Sequence, residues 1–182
     1  LVSRQVGQGP QLIVDDVQEA LEQMGVAARV RCGAHRTAVT GSAGKTSVKE
    51  MLAQIYRAFG PAHWNVKSFN NHWGVPLTLA RMPEDTTRAV FEIGMSTPGE
   101  IAPRSQMVRP HTGIVTCIAG AHLEGLGSLS AVAHEKADIF TGMEAGGTFI
   151  LPADDEFFDY LAGRARRFCP TGNLESFGRS AN

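Results

Sequence analysis

The sequence lacks the features of membrane-spanning, disordered and disulfide-rich proteins. No apolar run is long enough to cross a bilayer. Hydrophobic residues make up 43% of the chain and charged residues 19%, which is too apolar and too weakly charged for a disordered protein. The 3 cysteines are far apart and form no CxxC pair, so they suit a reducing compartment better than disulfides or a zinc site. We therefore expect a soluble, cytoplasmic protein.

An excess of charge of one sign is also missing. Lysine and arginine number 17 against 18 aspartates and glutamates, which gives a formal net charge of −1. Without a global positive field, we expect no nucleic-acid partner, although a local basic site stays open as an alternative. Since no apolar run is long enough to cross a bilayer, we expect no membrane insertion either. The 182 residues are enough for one domain of ordinary size.

Short apolar strands alternate with amphipathic helices from Thr37 onwards. The pattern predicts four strands and three helices, with the strands over 37–40, 89–93, 113–118 and 147–151 and the helices over 44–59, 129–142 and 154–168. An earlier helix is predicted to be capped by Asp16, to end at Gly25 and to be followed by a connector over 26–36. This order predicts an α/β fold, a mostly parallel sheet with helices on both faces.

The segment TGSAGKTS at 40–47 lies between the first of these strands and the following helix. Backbone N–H groups and a helix N-terminus in this geometry bind phosphate oxygens, and glycines allow the close approach. Val39 stands where the longer motif GxxxxGK[ST] has glycine, so the match is to the shorter form GxxGKT. A Gly-Ser turn that contains a lysine by chance is the alternative. The predicted phosphate loop consists of Gly41, Ser42, Ala43, Gly44, Lys45, Thr46 and Ser47.

The helix that follows this loop carries an apolar stripe. It is predicted to consist of Val48, Met51, Leu52, Ile55 and Phe59.

Two residues at predicted strand ends are candidate metal ligands. Glu92 interrupts the apolar strand AVFEI near its carboxyl end, where open α/β sheets bind ligands. His122 follows the strand GIVTCI across a short turn. The alternatives are a water-facing glutamate on an edge strand and a structural histidine.

Lys136 lies in the middle of the apolar stripe of the predicted helix 129–142. A lysine on a buried face is costly unless it is paired, neutral or chemically modified. A neutral lysine can react with CO₂ to form a carbamate, which binds metals as a carboxylate does. The alternative is that its stem reaches along the helix and leaves the amine in water.

Together these residues resemble the Mur ligases, the ATP-dependent enzymes that form amide bonds in peptidoglycan synthesis. TGSAGKTS resembles the TGTNGKT-type loop of the family. Glu92, His122 and Lys136 fall where the family has a magnesium-binding glutamate, a metal-binding histidine and a carbamylated lysine. The segments at 122–129 and 69–79 resemble the subfamily that adds D-alanyl-D-alanine.

The resemblance implies the domain organisation and the reaction. Residues 1–33 would be the end of an N-terminal UDP-sugar-binding domain with its connector, residues 34–182 the central ATP-binding domain, and the C-terminal domain would be absent. The full enzyme would act as a monomer. ATP would phosphorylate the terminal carboxylate of UDP-N-acetylmuramoyl-tripeptide, and the amine of D-Ala-D-Ala would attack the acyl phosphate. We expect the chain alone to bind ATP–Mg²⁺ without forming the amide bond.

The resemblance also implies roles for individual residues. Thr46 and Glu92 would hold one Mg²⁺, and His122 and carbamylated Lys136 the other. Lys45 would screen the repulsion between the carboxylate and the γ-phosphate, so the candidate catalytic residues are Lys45, His122 and Lys136.

Two asparagines complete the candidate site. Asn70 and Asn71 resemble the family's asparagines near the phosphates, which makes them candidate nucleotide-binding residues. Turn formation is the alternative for both.

Three other functions stay open at this stage. A folylpolyglutamate or cyanophycin ligase would keep the family, but Thr46 after the loop lysine disfavours the folate type and the segment HLEG disfavours both. A GTPase would need an NKxD motif, which the sequence lacks, and a kinase would not explain Lys136. A non-catalytic nucleotide-binding module is the third alternative.

Overall fold

Six parallel strands form one sheet in the computed structural model, which describes residues 1–120 and 126–179. The strands are β1 His35–Thr40, β2 Ala62–Trp64, β3 Arg88–Glu92, β4 Thr112–Val115, β5 Thr148–Pro152 and β6 Asn173–Phe177. Their order is β2-β3-β1-β4-β5-β6, and every neighbouring pair is parallel. The connection from β3 to β4 crosses β1, so a crevice for ligands is expected at the carboxyl end of β1.

Six α-helices cover the sheet in the described part of the chain. They are α1 Val17–Arg31, α2 Lys45–Ala58, α3 Gly74–Ala80, α4 Ile101–Val108, α5 Leu129–Ala137 and α6 Phe158–Phe168. A 3₁₀ helix over Asp138–Gly142 continues α5, so the predicted helix 129–142 is α-helical only in its first part. None of the described helices is long and apolar enough to span a membrane.

Alternate strand residues face two separate cores, as the twofold repeat of a strand requires. Ala38 and Phe91 are paired in register and point into the larger core, to which α3, α4 and α6 contribute. Val39 and Ile114, also paired, point into the smaller core beneath α2. Helices therefore lie on both faces of a parallel sheet, which confirms the predicted fold class.

The predicted end of the first helix at Gly25 is wrong. Asp16 caps α1 as expected, since its Oδ1 accepts a hydrogen bond of 2.8 Å from Glu19 N, but the helix runs on to Arg31. Residues 26–31 of the predicted connector are therefore helical. Gly25 is buried where α1 crosses α3, and a Cβ there would lie 3.0 Å from Pro76 O. The glycine serves close helix packing and does not end the helix.

The predicted apolar stripe of α2 is only partly buried. Val48 and Leu52 pack against the smaller core, whereas the outer members of the stripe are more than half exposed. These exposed members are Met51, Ile55 and Phe59. Lys49 and Ala53 take the fully buried positions instead.

Candidate nucleotide-binding site

The loop from Gly41 to Gly44 joins the carboxyl end of β1 to the first turn of α2. Gly41 has φ +142°, and a Cβ there would lie 1.9 Å from Thr116 Oγ1. Gly44 caps α2 in the left-handed region, with φ +79°. Both positions therefore require glycine for conformation, and the first requires it for space as well.

The end of β4 holds this loop in its bent shape. Ser42 N donates to Cys117 O at 2.9 Å, and the Ser42 hydroxyl bridges the backbone O and N of Ala119 at 2.9 Å each. Thr116 Oγ1 donates to Ala43 O at 2.5 Å. Protein contacts thus fix the loop, which lowers the ordering cost of binding an anion.

Positive charge is concentrated at the beginning of α2. Lys45 Nζ donates to Gly41 O at 2.7 Å, so the side chain folds back over the loop. The first turn of α2 contains no acidic residue, and its free N–H groups add the positive end of the helix dipole. This arrangement suits a phosphate group.

Glu92 is buried beside the first turn of α2. It is 1% exposed and belongs to β3, which lies inside the sheet, so it is not a water-facing edge residue. Its two carboxylate oxygens accept hydrogen bonds from Thr46 Oγ1 at 2.9 Å and from Asn70 Nδ2 at 2.6 Å. Among residues 1–120 and 126–179, no cationic side chain pairs with it within 4.0 Å. A buried carboxylate beside a threonine hydroxyl is a donor set that fits Mg²⁺.

The two candidate asparagines have different environments. Asn70 reaches the site, where it donates to Glu92. Asn71 Oδ1 instead accepts hydrogen bonds from Gly74 N at 2.9 Å and Trp73 N at 3.2 Å, a turn that begins α3. In the described structure, the side-chain oxygen of Asn71 is thus used for the turn that the sequence left as an alternative.

Lys136 is 1% exposed on α5, so its amine is not held out in water. Burial, followed by the positive charge of Lys45, lowers the pKa of Lys136 from 10.5 to about 8, although Glu135 partly opposes both effects. In the described part of the chain, Lys136 has no hydrogen bond or ion pair. Its role as a carbamate stays a prediction.

The remaining candidate, His122, lies outside the described residues and stays a prediction. Sequence reasoning missed three residues that shape the site, namely Asn65, Ser68 and Thr116. Asn65 Oδ1 accepts a 2.6 Å hydrogen bond from Glu92 N, and Ser68 Oγ lies 3.4 Å from Thr46 Oγ1. They lie in loops without a recurring pattern, so no local signal marks them.

A glycine-rich loop between the central strand and a helix, with a buried carboxylate on the adjacent strand, defines a P-loop nucleotide-binding domain. The family model described as the Mur ligase middle domain matches residues 39–181. The chain belongs to the Mur ligase family, which confirms the resemblance drawn from its motifs.

Two relatives that carry the same protein name narrow the comparison to one kind of Mur ligase. The chain is 42% identical over 146 residues to the UDP-N-acetylmuramoyl-tripeptide--D-alanyl-D-alanine ligase of Escherichia coli (strain K12). The aligned segment covers 80% of this chain and 32% of that protein. It is 38% identical over 144 residues to the enzyme of the same name from Bacillus subtilis (strain 168), covering 79% of this chain and 32% of that protein. The chain thus spans about a third of the length of these relatives.

Solved structures agree with this comparison. A crystal structure of MurF from Acinetobacter baumannii matches with a TM-score of 0.88 and 31% identity, covering 98% of this chain and 39% of that one. The chain is therefore homologous to MurF.

Proposed function

We propose that this chain is the ATP-binding part of a ligase that adds D-Ala-D-Ala to a peptidoglycan precursor. The observation that carries the proposal is the contact between Thr46 and Glu92 beside the phosphate loop, because it brings a hydroxyl and a carboxylate to the place where a phosphate-bound Mg²⁺ would lie. The relatives that share the D-alanyl-D-alanine ligase name support the choice of substrate.

The proposed role of the chain is to bind and orient ATP. The N–H groups at the beginning of α2 and the amine of Lys45 would bind the β- and γ-phosphates. Thr46 and Glu92 would hold one Mg²⁺, while His122 and carbamylated Lys136 would hold a second. Magnesium supplies positive charge that neutralises the phosphates. Lys45 would reduce the repulsion between the γ-phosphate and the incoming carboxylate.

The substrates of the reaction belong to the full ligase. The terminal carboxylate of UDP-N-acetylmuramoyl-tripeptide would take the γ-phosphoryl group of ATP, and the amine of D-Ala-D-Ala would then displace phosphate from the acyl phosphate. Residues 1–33 would belong to the end of a UDP-sugar-binding domain and its connector, and residues 34–182 to the ATP-binding domain. We propose a monomeric, cytoplasmic enzyme, in keeping with the free thiols of Cys32, Cys117 and Cys169.

The environment of Lys136 suits carbamate formation. The reaction needs the neutral amine, which attacks CO₂, forms an N–C bond and releases one proton. Because burial and the positive charge of Lys45 lower the pKa of Lys136 to about 8, a larger fraction of the amine is neutral near pH 7 than for an exposed lysine. The anionic product would be neutralised by the metal that it binds.

Substitutions at Lys136 test this function in a full-length ligase that contains the chain. We expect Lys136→Ala to abolish D-Ala-D-Ala ligation and added acetate to restore part of it, because a diffusible carboxylate can occupy the vacated space. Lys136→Arg should stay inactive, since arginine remains cationic. Near-normal turnover of Lys136→Arg would contradict the carbamate. Transfer of glutamate to folate in place of D-Ala-D-Ala ligation would contradict the substrate.

The isolated chain provides a second test of the same proposal. We expect it to form no UDP-N-acetylmuramoyl-pentapeptide when supplied with both substrates and ATP–Mg²⁺. Robust product formation by the chain alone would show that no further domain is needed.

A further inference from the structure

Lys49 is a fully buried lysine for which the proposed reaction has no use. Its side chain lies on the inner side of α2 and is 0% exposed. The amine donates hydrogen bonds to the backbone carbonyls of Asn65 at 3.0 Å and Lys67 at 2.5 Å. Its third neighbour is Glu50, with Oε1 at 2.7 Å. The ammonium group therefore has two backbone hydrogen-bond acceptors and one carboxylate close enough for an ion pair.

A buried ammonium group is unfavourable compared with an apolar side chain of similar shape, even where it is fully paired. Methionine would fill the same space at this position without desolvating a charge. We therefore expect the amine of Lys49 to have a role other than packing. Because its two carbonyl partners belong to the loop over residues 65–70, that role concerns this loop.

This loop carries the groups that surround the candidate metal ligands. Asn65 Oδ1 accepts a hydrogen bond from Glu92 N, and Asn70 Nδ2 donates to Glu92 Oε1. Lys67, between them, has φ +53°, a conformation that is strained for a residue with a side chain. The carbonyl of this strained residue is one of the two that the Lys49 amine holds.

We propose that Lys49 is a positioning residue. By holding the carbonyls of Asn65 and Lys67, it keeps the loop over residues 65–70 in the shape that orients the Glu92 carboxylate towards Thr46. The consequence for metal binding rests on the proposed function of the site, whereas the effect on the loop does not.

Limited proteolysis tests the effect on the loop without any ligand. Lys67 is exposed, so the Lys67–Ser68 bond is a trypsin site within the loop. In Lys49→Met we expect cleavage at this bond to accelerate about tenfold relative to cleavage after Arg179, because proteolysis follows the population of the open form. The matched control is Leu52→Ala, a change on the same helix that weakens the smaller core, whose described members include no residue of the loop. It should leave this ratio unchanged.

An equal cleavage ratio in folded Lys49→Met and in the unmodified chain would overturn the proposal. If Lys49→Met does not fold, Lys49→Gln decides, because its shorter amide cannot reach both carbonyls. We expect the ratio to rise in this variant too, and an unchanged ratio would again overturn the proposal.

Manganese binding tests the consequence for the metal ligands. Mn²⁺ replaces Mg²⁺ as a spectroscopic probe, and its affinity in the presence of ADP is measured by electron paramagnetic resonance. We expect Lys49→Met to weaken Mn²⁺ about tenfold, the effect typical of losing an outer partner of a metal ligand. Affinity for ADP without a divalent ion should not change, since the phosphate loop is intact.

The two measurements separate the possible failures. If the unmodified chain binds neither ADP nor Mn²⁺, the proposed function fails, and the proteolysis result alone decides the role of Lys49. If the chain binds both and Lys49→Met binds Mn²⁺ equally well, the positioning of Glu92 by Lys49 is refuted. A merely structural lysine would change stability and leave this difference between metal-dependent and metal-free binding unaltered.

Discussion

The buried amine of Lys136 should make the stability of the chain depend on pH in a characteristic way. Burial, with a contribution from Lys45, lowers the pKa of Lys136 from 10.5 to about 8. At about 1.36 kcal/mol per pH unit, this lowering corresponds to a cost of about 3 kcal/mol for keeping the charged amine in the folded chain. Lys136→Met removes the charge and preserves most of the volume. It should therefore stabilise the metal-free chain by up to about 3 kcal/mol at pH 7.

The sign of the pH dependence follows from proton binding. Below pH 8 the amine is protonated in both the folded and the unfolded chain, so the folded chain bears the full cost. Between pH 8 and 10.5 the folded chain has released a proton that the unfolded chain still binds, and the free energy of unfolding rises with pH. The advantage of Lys136→Met should therefore shrink over this range and vanish above it.

Urea denaturation of both chains in CO₂-free, metal-free buffer measures this difference. Because groups that do not interact with Lys136 titrate alike in both chains, the difference in free energy of unfolding reports the charge of Lys136 and its coupling to neighbouring charges. The fluorescence of Trp64 and Trp73 reports unfolding. A difference that stays constant from pH 7 to 10.5, or a less stable Lys136→Met at pH 7, would refute the burial of a charged amine.

Two further predictions concern the phosphate loop and the metal ligands. Gly41→Ala should lower the free energy of unfolding in urea by about 1–3 kcal/mol, because its Cβ would collide with Thr116. Gly99→Ala is the control, since Gly99 also has positive φ but open space around it, and an equal loss in both variants would contradict the collision. Glu92→Gln should reduce by about tenfold the gain in ADP affinity that Mg²⁺ provides, and it should leave the affinity for metal-free ADP unchanged. Calorimetry measures both affinities. An unaltered magnesium effect would exclude Glu92 as a ligand.

The phosphate loop could be predicted from the sequence because its constraints are local. Gly41 and Gly44 are required by positive φ, and Lys45 and Thr46 follow at fixed spacing. The predicted strands were also found with small shifts at their ends, since each is a short apolar run bounded by turns. The burial of Lys136 likewise agrees with its place in an apolar stripe.

The orientation of α2 could not be predicted, because it depends on contacts distant in sequence. Lys49 is buried because carbonyls 16 and 18 residues further along accept its hydrogen bonds. Hydrophobic periodicity contains no information about such partners, so it favoured Met51 and Ile55 as inner residues. The strand β6 was missed for a similar reason, since it lies at the edge of the described sheet beside β5 and its residues alternate between exposed and half-buried.

Calorimetric titration of this chain with a non-hydrolysable ATP analogue and Mg²⁺ tests nucleotide binding at the loop most directly. We expect saturable binding by the unmodified chain. Lys45→Ala should weaken it by about 1.5–3 kcal/mol, the value of a charge-assisted contact, with an unchanged urea midpoint. Arg167→Ala, which removes the same charge from the exposed surface of α6, should bind normally. Equal affinity of the unmodified chain and Lys45→Ala would contradict the assignment of this loop as the phosphate site.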